Sequence, residues 1–285
     1  GNCRRHRQSG WRGSDIPSRS PLFSKLHGPQ RRLTGDPLGR RPFITYFITI
    51  LAIAVAWQAL SLVMGSMLLP GPWAVLQRLP IEVLQPVFWE HAAASAWRIS
   101  AGLALAFIIA VPLGLLLGGN RRLDRIFEPL IYLSYPIPKI VILPVILLIF
   151  GLGDGGKIAL ITLIIVFQLL IPTRDAARTV DSAVIHSFRS LGGNRRQYYL
   201  HVVWPVAMPA VFSALRIGTG TGVAVLFFVE SISTRRGLGL YLIDNWGRAD
   251  YPAMFVGIIA LSAIGIILYE AFDFLEKKLC RWRNA

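Results

Sequence analysis

The chain is poor in charge and in cysteine, and each shortage excludes a class of protein. Charged residues make up 16% of the 285 residues, against about 25% in typical soluble domains. The two cysteines, Cys3 and Cys280, lie at opposite ends of the sequence, so they form neither a disulfide framework nor a metal-ligand spacing. We therefore expect neither an ordinary soluble domain nor a fold held by metal or disulfides.

Long hydrophobic runs take the place of the missing charge. Hydrophobic residues make up 54% of the chain, and several windows of about 20 residues are long enough to cross a bilayer as helices. The sequence predicts an all-α polytopic membrane protein with six spans, at residues 43–64, 99–118, 127–150, 158–172, 205–229 and 253–272. Residues 69–97 are amphipathic and rich in tryptophan, which favours a position at the outer interface.

The distribution of basic residues predicts the orientation. Residues 1–42 are basic and contain no apolar run, which indicates a disordered cytoplasmic arm, whereas residues 43–283 form the transmembrane domain. With this arm inside, lysine and arginine on the predicted inner side far outnumber those on the outer side, as the positive-inside rule requires. We expect both termini in the cytoplasm of a bacterial inner membrane. The net charge of +15 then indicates contact with membrane lipid, and we expect no nucleic-acid partner.

Few residues suggest a catalytic or ligand-binding role. The segment GLGDGGK at 151–157 resembles a phosphate-binding loop, but Ile158 follows where serine or threonine should hold magnesium. We find no metal-binding motif and no catalytic set, so we expect no metal, no cofactor in this chain and no enzymatic activity.

Three charged residues in or beside the predicted spans are candidates for a translocation path, because charge near hydrocarbon is costly. Glu230 ends the fifth span and could instead reach water at the interface. Lys139 follows two prolines in the third span and could instead snorkel to the surface. Arg98 begins the second span and could instead contact lipid phosphate.

Glycine and proline recur inside the spans. Prolines occur at positions 112, 136, 138 and 144, and Gly218 and Gly222 are spaced as GxxxG within GTGTG. In a helical bundle such residues permit kinks and close helix packing. We therefore expect the GTGTG segment to pack against a neighbouring helix rather than to bind a dinucleotide.

The segment between spans four and five, residues 173–204, is longer than a simple loop. Apolar residues at helical spacing from Val180 to Leu191 predict a short helix, which Gly192 and Gly193 end. Asn194 can cap a second helix that runs to Pro205. The product is a cytoplasmic docking surface with a basic rim and aromatic anchors.

This segment resembles the cytoplasmic signature of the membrane subunits of binding-protein-dependent ABC importers, EAA-x3-G-x9-I-x-L-P. Gly192, Val202 and Pro205 match its glycine, isoleucine and proline, whereas His186-Ser187-Phe188 replaces EAA and Trp204 replaces leucine. Other stretches resemble the nitrate/sulfonate/taurine branch, in the order LPGPWAVL, SAWRISAGLALAFIIAVPLGLLLG, PIPKIVILPVILLIFGLGDGGK, FFVESISTRRGLGLYLI and LEKKLCRW. The resemblance covers residues 43–283.

The resemblance implies the permease subunit of an ATP-driven importer for a small solute, an anion such as a sulfonate, taurine or nitrate. It implies a homodimer that works with two ATPase subunits, which carry the ATP and Mg²⁺, and with an extracytoplasmic substrate-binding protein. The contacts that couple it to the ATPase would come from His186, Ser187, Phe188, Leu191, Gly192, Gly193, Asn194, Arg195, Val202 and Pro205. The alternatives are a stand-alone channel or secondary carrier, for which intramembrane charge is sparse, and a membrane enzyme, for which catalytic residues are missing.

Overall fold

The computed structural model describes residues 42–284 except Ser66, Tyr135 and Ser233. The predicted basic arm therefore lies outside the described residues, apart from Pro42, where the first helix begins. The described residues are helical and include no strand, and the helices are α1 (Pro42–Met64), α2 (Pro72–Val83), α3 (Pro86–Gly118), α4 (Arg121–Ser134), α5 (Leu143–Phe150), α6 (Asp154–Arg178), α7 (Ser182–Ser190), α8 (Arg195–Tyr198), α9 (Trp204–Ile232), α10 (Leu238–Gly247) and α11 (Tyr251–Leu279). The chain divides after Ile53 into two units, and the packing described below is that of the unit from Ala54 onward.

Five helical stretches are long and apolar enough to cross a membrane. They lie in α1, α3, α6, the stretch Arg195–Ile232 and α11. A sixth span is formed if α4 and the segment Lys139–Phe150, which bend by 84° at a short break, are counted together. This agrees with the six predicted spans, although the helices differ from them in form or length.

The helix that holds the second predicted span begins earlier than residue 99. Residues 86–98 form the first turns of α3, which continues to Gly118. Pro86 occupies the first turn, where its missing N–H has no helical partner to lose. The alanine-rich sequence that follows has high helix propensity. Only α2, residues 72–83, remains as a separate short helix in this region.

The third and fourth spans also differ from the prediction. The third is not one helix, because α4 ends at Ser134 and a short 3₁₀ helix, Lys139–Ile142, precedes α5. Pro136 and Pro138 lie in the break, where proline removes a backbone donor and disfavours helical geometry in the preceding residue. The fourth span, predicted at residues 158–172, is longer, since α6 runs from Asp154 to Arg178.

Small residues bring α3 and α6 into close contact. A Cβ added to Gly102 would lie 2.5 Å from Ile161 Cγ2, and one added to Gly118 would lie 2.3 Å from the carbonyl oxygen of Arg174. Because these glycines lack a side chain, the two helices can approach along most of their length. Ile99, Leu160, Ile161 and Ile165 are almost completely buried in this contact region.

The GTGTG segment packs as predicted. A Cβ on Gly222 of α9 would lie 2.6 Å from Ile99 Cδ1 and 3.1 Å from Ile165 Cδ1. Gly218 leaves more room, with Ile165 at 3.5 Å from the corresponding position. The segment therefore allows α9 to rest on both α3 and α6, and these three helices form the centre of the bundle.

Candidate functional site

Two of the three predicted path residues meet in a buried ion pair. Arg98 of α3 donates from Nη1 to Glu230 Oε1 of α9 at 2.5 Å. The side chain of Glu230 is 0% exposed and Arg98 is 4% exposed. Glu230 therefore does not reach water, and the Arg98 guanidinium lies inside the protein.

Arg98 has further partners on two other segments. Its Nε and Nη2 each lie 2.8 Å from Asp154 Oδ1, at the start of α6, and its Nη1 also donates to the carbonyl oxygen of Arg236 at 2.6 Å. Ser95, one helical turn before Arg98, donates to Glu230 Oε2 at 2.7 Å. We call Ser95, Arg98, Asp154, Lys157 and Glu230 the Arg98 cluster.

Lys157 completes the Arg98 cluster from α6. It is 2% exposed, and its Nζ donates to the carbonyl oxygen of Leu152 at 2.7 Å and to that of Gly153 at 3.3 Å. The lysine thus fixes the turn before α6, which also carries Asp154. The segment that resembled a phosphate-binding loop is therefore a turn stabilised by its own lysine.

The beginning of α10 covers the Arg98 cluster. The backbone N–H of Gly239 donates to Glu230 Oε2 at 2.9 Å, and that of Leu238 donates to Ser95 Oγ at 2.8 Å. A Cβ on Gly239 would lie only 2.8 Å from the carbonyl oxygen of Phe227, so a side chain there would force the segment away. Four elements, α3, α6, α9 and α10, are therefore joined at this end of the bundle.

A cavity of about 890 Å³ opens beside the Arg98 cluster. Its charged lining residues are Glu90, Arg98, Asp154, Lys157, Arg235 and Arg236. Arg98 pairs with Asp154 and with Glu230 behind the wall, and Arg236 pairs with Glu90. Four basic groups against these three acidic ones leave one net positive charge, which favours an anion.

A second polar contact fixes α10 against α2. Tyr241 donates from its hydroxyl to Glu82 Oε2 at 2.8 Å. Burial, followed by this hydrogen bond, raises the pKa of Tyr241 above its ordinary value. Arg78 links the same Glu82 to Asp250, with contacts of 2.8 and 2.9 Å. The cover over the Arg98 cluster is thus itself held by ion pairs.

Lys139, the third predicted path residue, lies apart from the Arg98 cluster. Its Nζ donates to the carbonyl oxygen of Ser134 at 3.0 Å and lies 4.5 Å from the centre of the Phe167 ring. It lines a cavity of about 290 Å³ together with Gln168 of α6. The Lys139 ammonium group therefore satisfies a backbone carbonyl at the end of α4, where the third span is broken.

The residues between α6 and α9, which we call the connector (residues 179–203), form the helix–turn–helix that the sequence predicts. Gly192 follows α7 with φ of +79°, a conformation that glycine adopts without strain. The N–H of Gly193 then bonds to the carbonyl of Phe188 at 3.2 Å, which is the six-to-one bond of a Schellman motif. The predicted end of the first connector helix at the glycine pair is confirmed.

Asn194 caps the next helix, also as predicted. Its Oδ1 accepts from the N–H of Gln197 at 2.9 Å, and the Gln197 side chain accepts from the N–H of Asn194 at 2.9 Å. This reciprocal capping box satisfies two backbone donors. The first residues of α8 are therefore fixed without any partner protein.

The second connector helix does not end at Pro205, contrary to the prediction of a separate short helix. Residues 195–232 form one continuous helical stretch, in which Tyr199–Val203 adopt π geometry. The N–H of Trp204 bonds to the carbonyl of Tyr199, five residues earlier. This wider turn accommodates Pro205, which cannot donate a backbone hydrogen bond. Val202 lies within the π segment and is half-buried.

Most other connector residues that the sequence selects are exposed. Leu191 is 87% exposed, and His186, Ser187, Gly192, Asn194 and Arg195 are exposed as well. Phe188 is half-buried because its ring packs against the backbone of Gly193 and stands 6.2 Å from the ring of Tyr198. The connector thus presents an ordered but uncovered surface.

Buried ion pairs fix the end of α6 from which the connector leaves. Arg174 is 3% exposed and bonds to Asp124 of α4, which is 2% exposed. Arg174 also contacts Glu128 at 3.2 Å, and Arg178 pairs with Asp124. We call these four residues the Arg174 cluster.

Sequence reasoning missed most of these partners. Ser95, Asp154 and Lys157 join the Arg98 cluster, Asp124 and Arg174 form the buried centre of the Arg174 cluster, and Arg216 of α9 pairs with Asp273 and Glu276 of α11 at 2.6 Å. The available signal was the presence of ionisable residues in strongly apolar helices, which is rare without a partner. Among the described residues, no group of three or more histidine, cysteine or acidic residues could hold a metal ion.

The described residues thus form a helical bundle with five or six candidate membrane spans and an ordered, exposed helix–turn–helix between α6 and α9. The model of the family described as "binding-protein-dependent transport system inner membrane component" matches residues 110–281. The chain belongs to this family. It is a multi-pass inner-membrane permease subunit of an ABC importer, not an enzyme, and such a subunit works with an ATPase and a substrate-binding protein.

The relatives of the chain are transport permeases as well. The taurine transport system permease protein TauC of Escherichia coli (strain K12) is 30% identical over 271 residues, which cover 92% of this chain and 98% of TauC. The formylaminopyrimidine transport permease protein ThiX of Halalkalibacterium halodurans is 30% identical and covers 82% of this chain and 94% of its own length. A solved structure of the MetNI methionine ABC transporter, in an inward-facing conformation, shares the fold with a TM-score of 0.59 at 20% identity, over 68% of this chain and 98% of that one.

Proposed function

We propose that two copies of this chain form the membrane path of an importer and that each copy binds one ATPase subunit through its connector. The observation that carries this proposal is the exposed, ordered surface around Leu191, which is 87% exposed although it ends an otherwise regular helix. ATP and Mg²⁺ belong to the partner, whose closure would move α7 and the helical stretch that begins at Arg195. Both termini lie in the cytoplasm, as the distribution of basic residues favours.

The Arg98 cluster braces the outer end of the path. Glu230 is the single acidic residue of α9 and receives hydrogen bonds from α3 and α10. Movement of α9 would therefore strain several charge-assisted bonds at once, so the bundle has a strong preference for one packing at this end. Glu230 and Arg98 act by holding the mouth together, while Lys139 contributes a positive charge deeper in the bundle.

The solute is a small anion such as a sulfonate, taurine or nitrate. The cavity beside the Arg98 cluster supports an anion, because its basic groups exceed the acidic ones by one when Glu230 is included. The similarity to a taurine permease points in the same direction. The extracytoplasmic binding protein selects the solute and delivers it to this side.

The second copy packs over the face formed by α9, α10 and α11. A mainly apolar cavity of about 840 Å³ lies on this face, lined by residues that include Gly220, Ala224, Trp246 and Phe255. A path along the twofold axis between the two copies would be bounded by these side chains.

Two substitutions of Gly192 test the coupling role. A Cβ at this position has no neighbour within 4 Å, so valine and asparagine differ in how well they tolerate φ of +79° rather than in fit. Asparagine accepts such angles, whereas a β-branched residue is strained by about 1–3 kcal/mol. We expect Gly192→Val to insert normally but to lower ATPase binding, substrate-stimulated ATP turnover and transport together, with Gly192→Asn close to wild type. Normal coupling in Gly192→Val would make the connector an ordinary loop.

Cysteine labelling tests the orientation. Cys280 is only 3% exposed and is a poor reporter, so Leu191→Cys and Leu152→Cys are placed one at a time in a chain with Cys3→Ser and Cys280→Ser. Leu191 and Leu152 are 87% and 63% exposed. An impermeant maleimide should label intact cells only at position 152 and opened vesicles at both positions. Labelling of position 191 from outside would reverse the topology.

A further inference from the structure

A basic cavity lies where the connector meets the turn between α3 and α4. Its volume is about 480 Å³, and its lining includes Arg121, Arg122, Arg195, Tyr198 and Tyr199. Gly119 forms part of the wall, where an added Cβ would lie 2.9 Å from the Tyr199 hydroxyl oxygen. We call this the arginine pocket. It shares Arg195 with the residues expected to contact the ATPase, whereas Arg121 and Arg122 lie outside the connector.

The positive charge of the arginine pocket is not compensated by the chain. Arg121, Arg122 and Arg195 form no ion pair with a described residue. The acidic residues of α4 are Asp124 and Glu128, and both are paired with Arg174 and Arg178 in the Arg174 cluster. Three guanidinium groups around one cavity repel one another, so an anion that enters it would be bound with charge-assisted hydrogen bonds.

The neighbouring surface indicates what kind of anion fits. Beyond its arginines, α4 leaves large apolar side chains exposed, at Ile126, Phe127, Leu130 and Leu133. A basic helix end followed by exposed apolar side chains is typical of a helix at a membrane interface. Tyrosines such as Tyr198 and Tyr199 also prefer the level of the lipid headgroups. A soluble anion would use the arginines but would leave the apolar surface uncovered.

We propose that the arginine pocket binds the phosphate headgroup of an anionic phospholipid whose acyl chains lie along α4. Basic pockets between transmembrane helices on the cytoplasmic side commonly bind such headgroups. The pocket joins residues 119–122 to residues 193–199, so a bound headgroup would hold the α3–α4 turn against the connector. The same lipid would thereby stabilise the position of Phe188 and of α7, which share a wall of the pocket.

Native mass spectrometry of the purified full chain tests this proposal. The probe is phosphatidylglycerol, added in competition with phosphatidylcholine, and the readout is the affinity for each lipid. Each of Arg121→Gln, Arg122→Gln and Arg195→Gln is expected to weaken phosphatidylglycerol binding about fivefold, because each basic group near an anionic surface contributes about 1 kcal/mol. Phosphatidylcholine binding should not change. Arg195→Lys, which keeps the charge, should retain most of the affinity.

The matched controls are Arg125→Gln and Arg196→Gln. Both arginines are exposed, and Arg196 follows Arg195 directly while Arg125 lies one helical turn after Arg122, yet neither lines the cavity. Equal losses in the control and pocket variants would show diffuse attraction to negative lipid and would overturn the site. A normal elution profile and an unchanged thermal unfolding temperature of each variant exclude misfolding as the cause of lost binding.

Two further arms separate other occupants of the arginine pocket. Inorganic phosphate is added as competitor, and it should not displace the lipid, since it offers nothing to the apolar surface. Displacement by phosphate would assign the pocket to a soluble anion instead.

In the second arm, the ATPase subunit is added to the lipid-bound complex, and the lipid should remain. Release of the lipid on ATPase binding would make the pocket part of the protein interface and would overturn the proposal, whereas the role of the connector in transport would stand.

Discussion

The two ends of the helical stretch Arg195–Ile232 differ in whether their side chains are buried and paired within the chain. At the C-terminal end, Glu230 is 0% exposed and has partners on α3 and α10. At the N-terminal end, Arg195 is exposed without a carboxylate partner, and Leu191 just before it is 87% exposed. Side chains that have partners inside the chain stabilise its fold. Exposed side chains contribute free energy only when a partner protein or ligand covers them. Substitutions should therefore affect folding at one end and association at the other.

The largest expected effect is on the Arg98 cluster. Glu230→Ala leaves the buried Arg98 without its main partner, and removal of one member of a buried ion pair costs about 3–5 kcal/mol. We expect a loss of this size in the free energy of unfolding in detergent, with a corresponding loss of transport.

Glu90→Ala is the control for that substitution. Glu90 lines the same cavity but is half exposed and pairs with Arg236 at 3.4 Å on the surface, and exposed pairs contribute about 0–1 kcal/mol. If both variants lost the same stability, the Arg98 cluster would not differ from a surface pair.

A smaller, local effect is expected at Asn194. Asn194→Ala removes the side-chain acceptor for the Gln197 N–H, and loss of such a cap costs about 1 kcal/mol. Hydrogen exchange at the amides of residues 195–198 should become faster, while the amides of α9 keep their protection. In the control Asn245→Ala, the lost bond is to a carbonyl within α10, and exchange in the connector should not change. Slow exchange in Asn194→Ala would mean that other contacts hold the start of α8.

The smallest effect on stability, and the sharpest contrast between the ends, is expected at Leu191. Leu191→Ser should change the free energy of unfolding of the isolated chain by no more than about 0.5 kcal/mol, because the side chain is exposed. Affinity for the ATPase should fall roughly tenfold or more, as burial of a leucine contributes about 1.5–3 kcal/mol. Leu152→Ser, in the turn before α6 and also exposed, should leave that affinity unchanged. Equal ATPase affinities of Leu191→Ser and wild type would place the contact elsewhere.

The features that could be predicted from sequence are those that depend on short stretches of residues. Hydropathy located the spans, and the Gly192–Gly193 pair with Asn194 fixed the helix–turn–helix, because caps and positive φ angles depend on a few neighbouring residues. Helix boundaries such as Pro86 were missed, since an amphipathic segment with tryptophans resembles an interfacial one. The partners of Arg98 lie 56 and 132 residues away in sequence, and no local pattern encodes which charges will meet after folding.

The continuity of residues 195–232 has a mechanical consequence. A stretch of 38 residues is about 57 Å long at 1.5 Å per residue, with the capping box of Asn194 at one tip and Glu230 near the other. A tilt of such a rod by about 5° displaces the far tip by about 5 Å when the near tip is held, which exceeds the reach of any hydrogen bond. If the stretch tilts as one body, a small push at the connector would reach Glu230 without a chain of intermediate side chains.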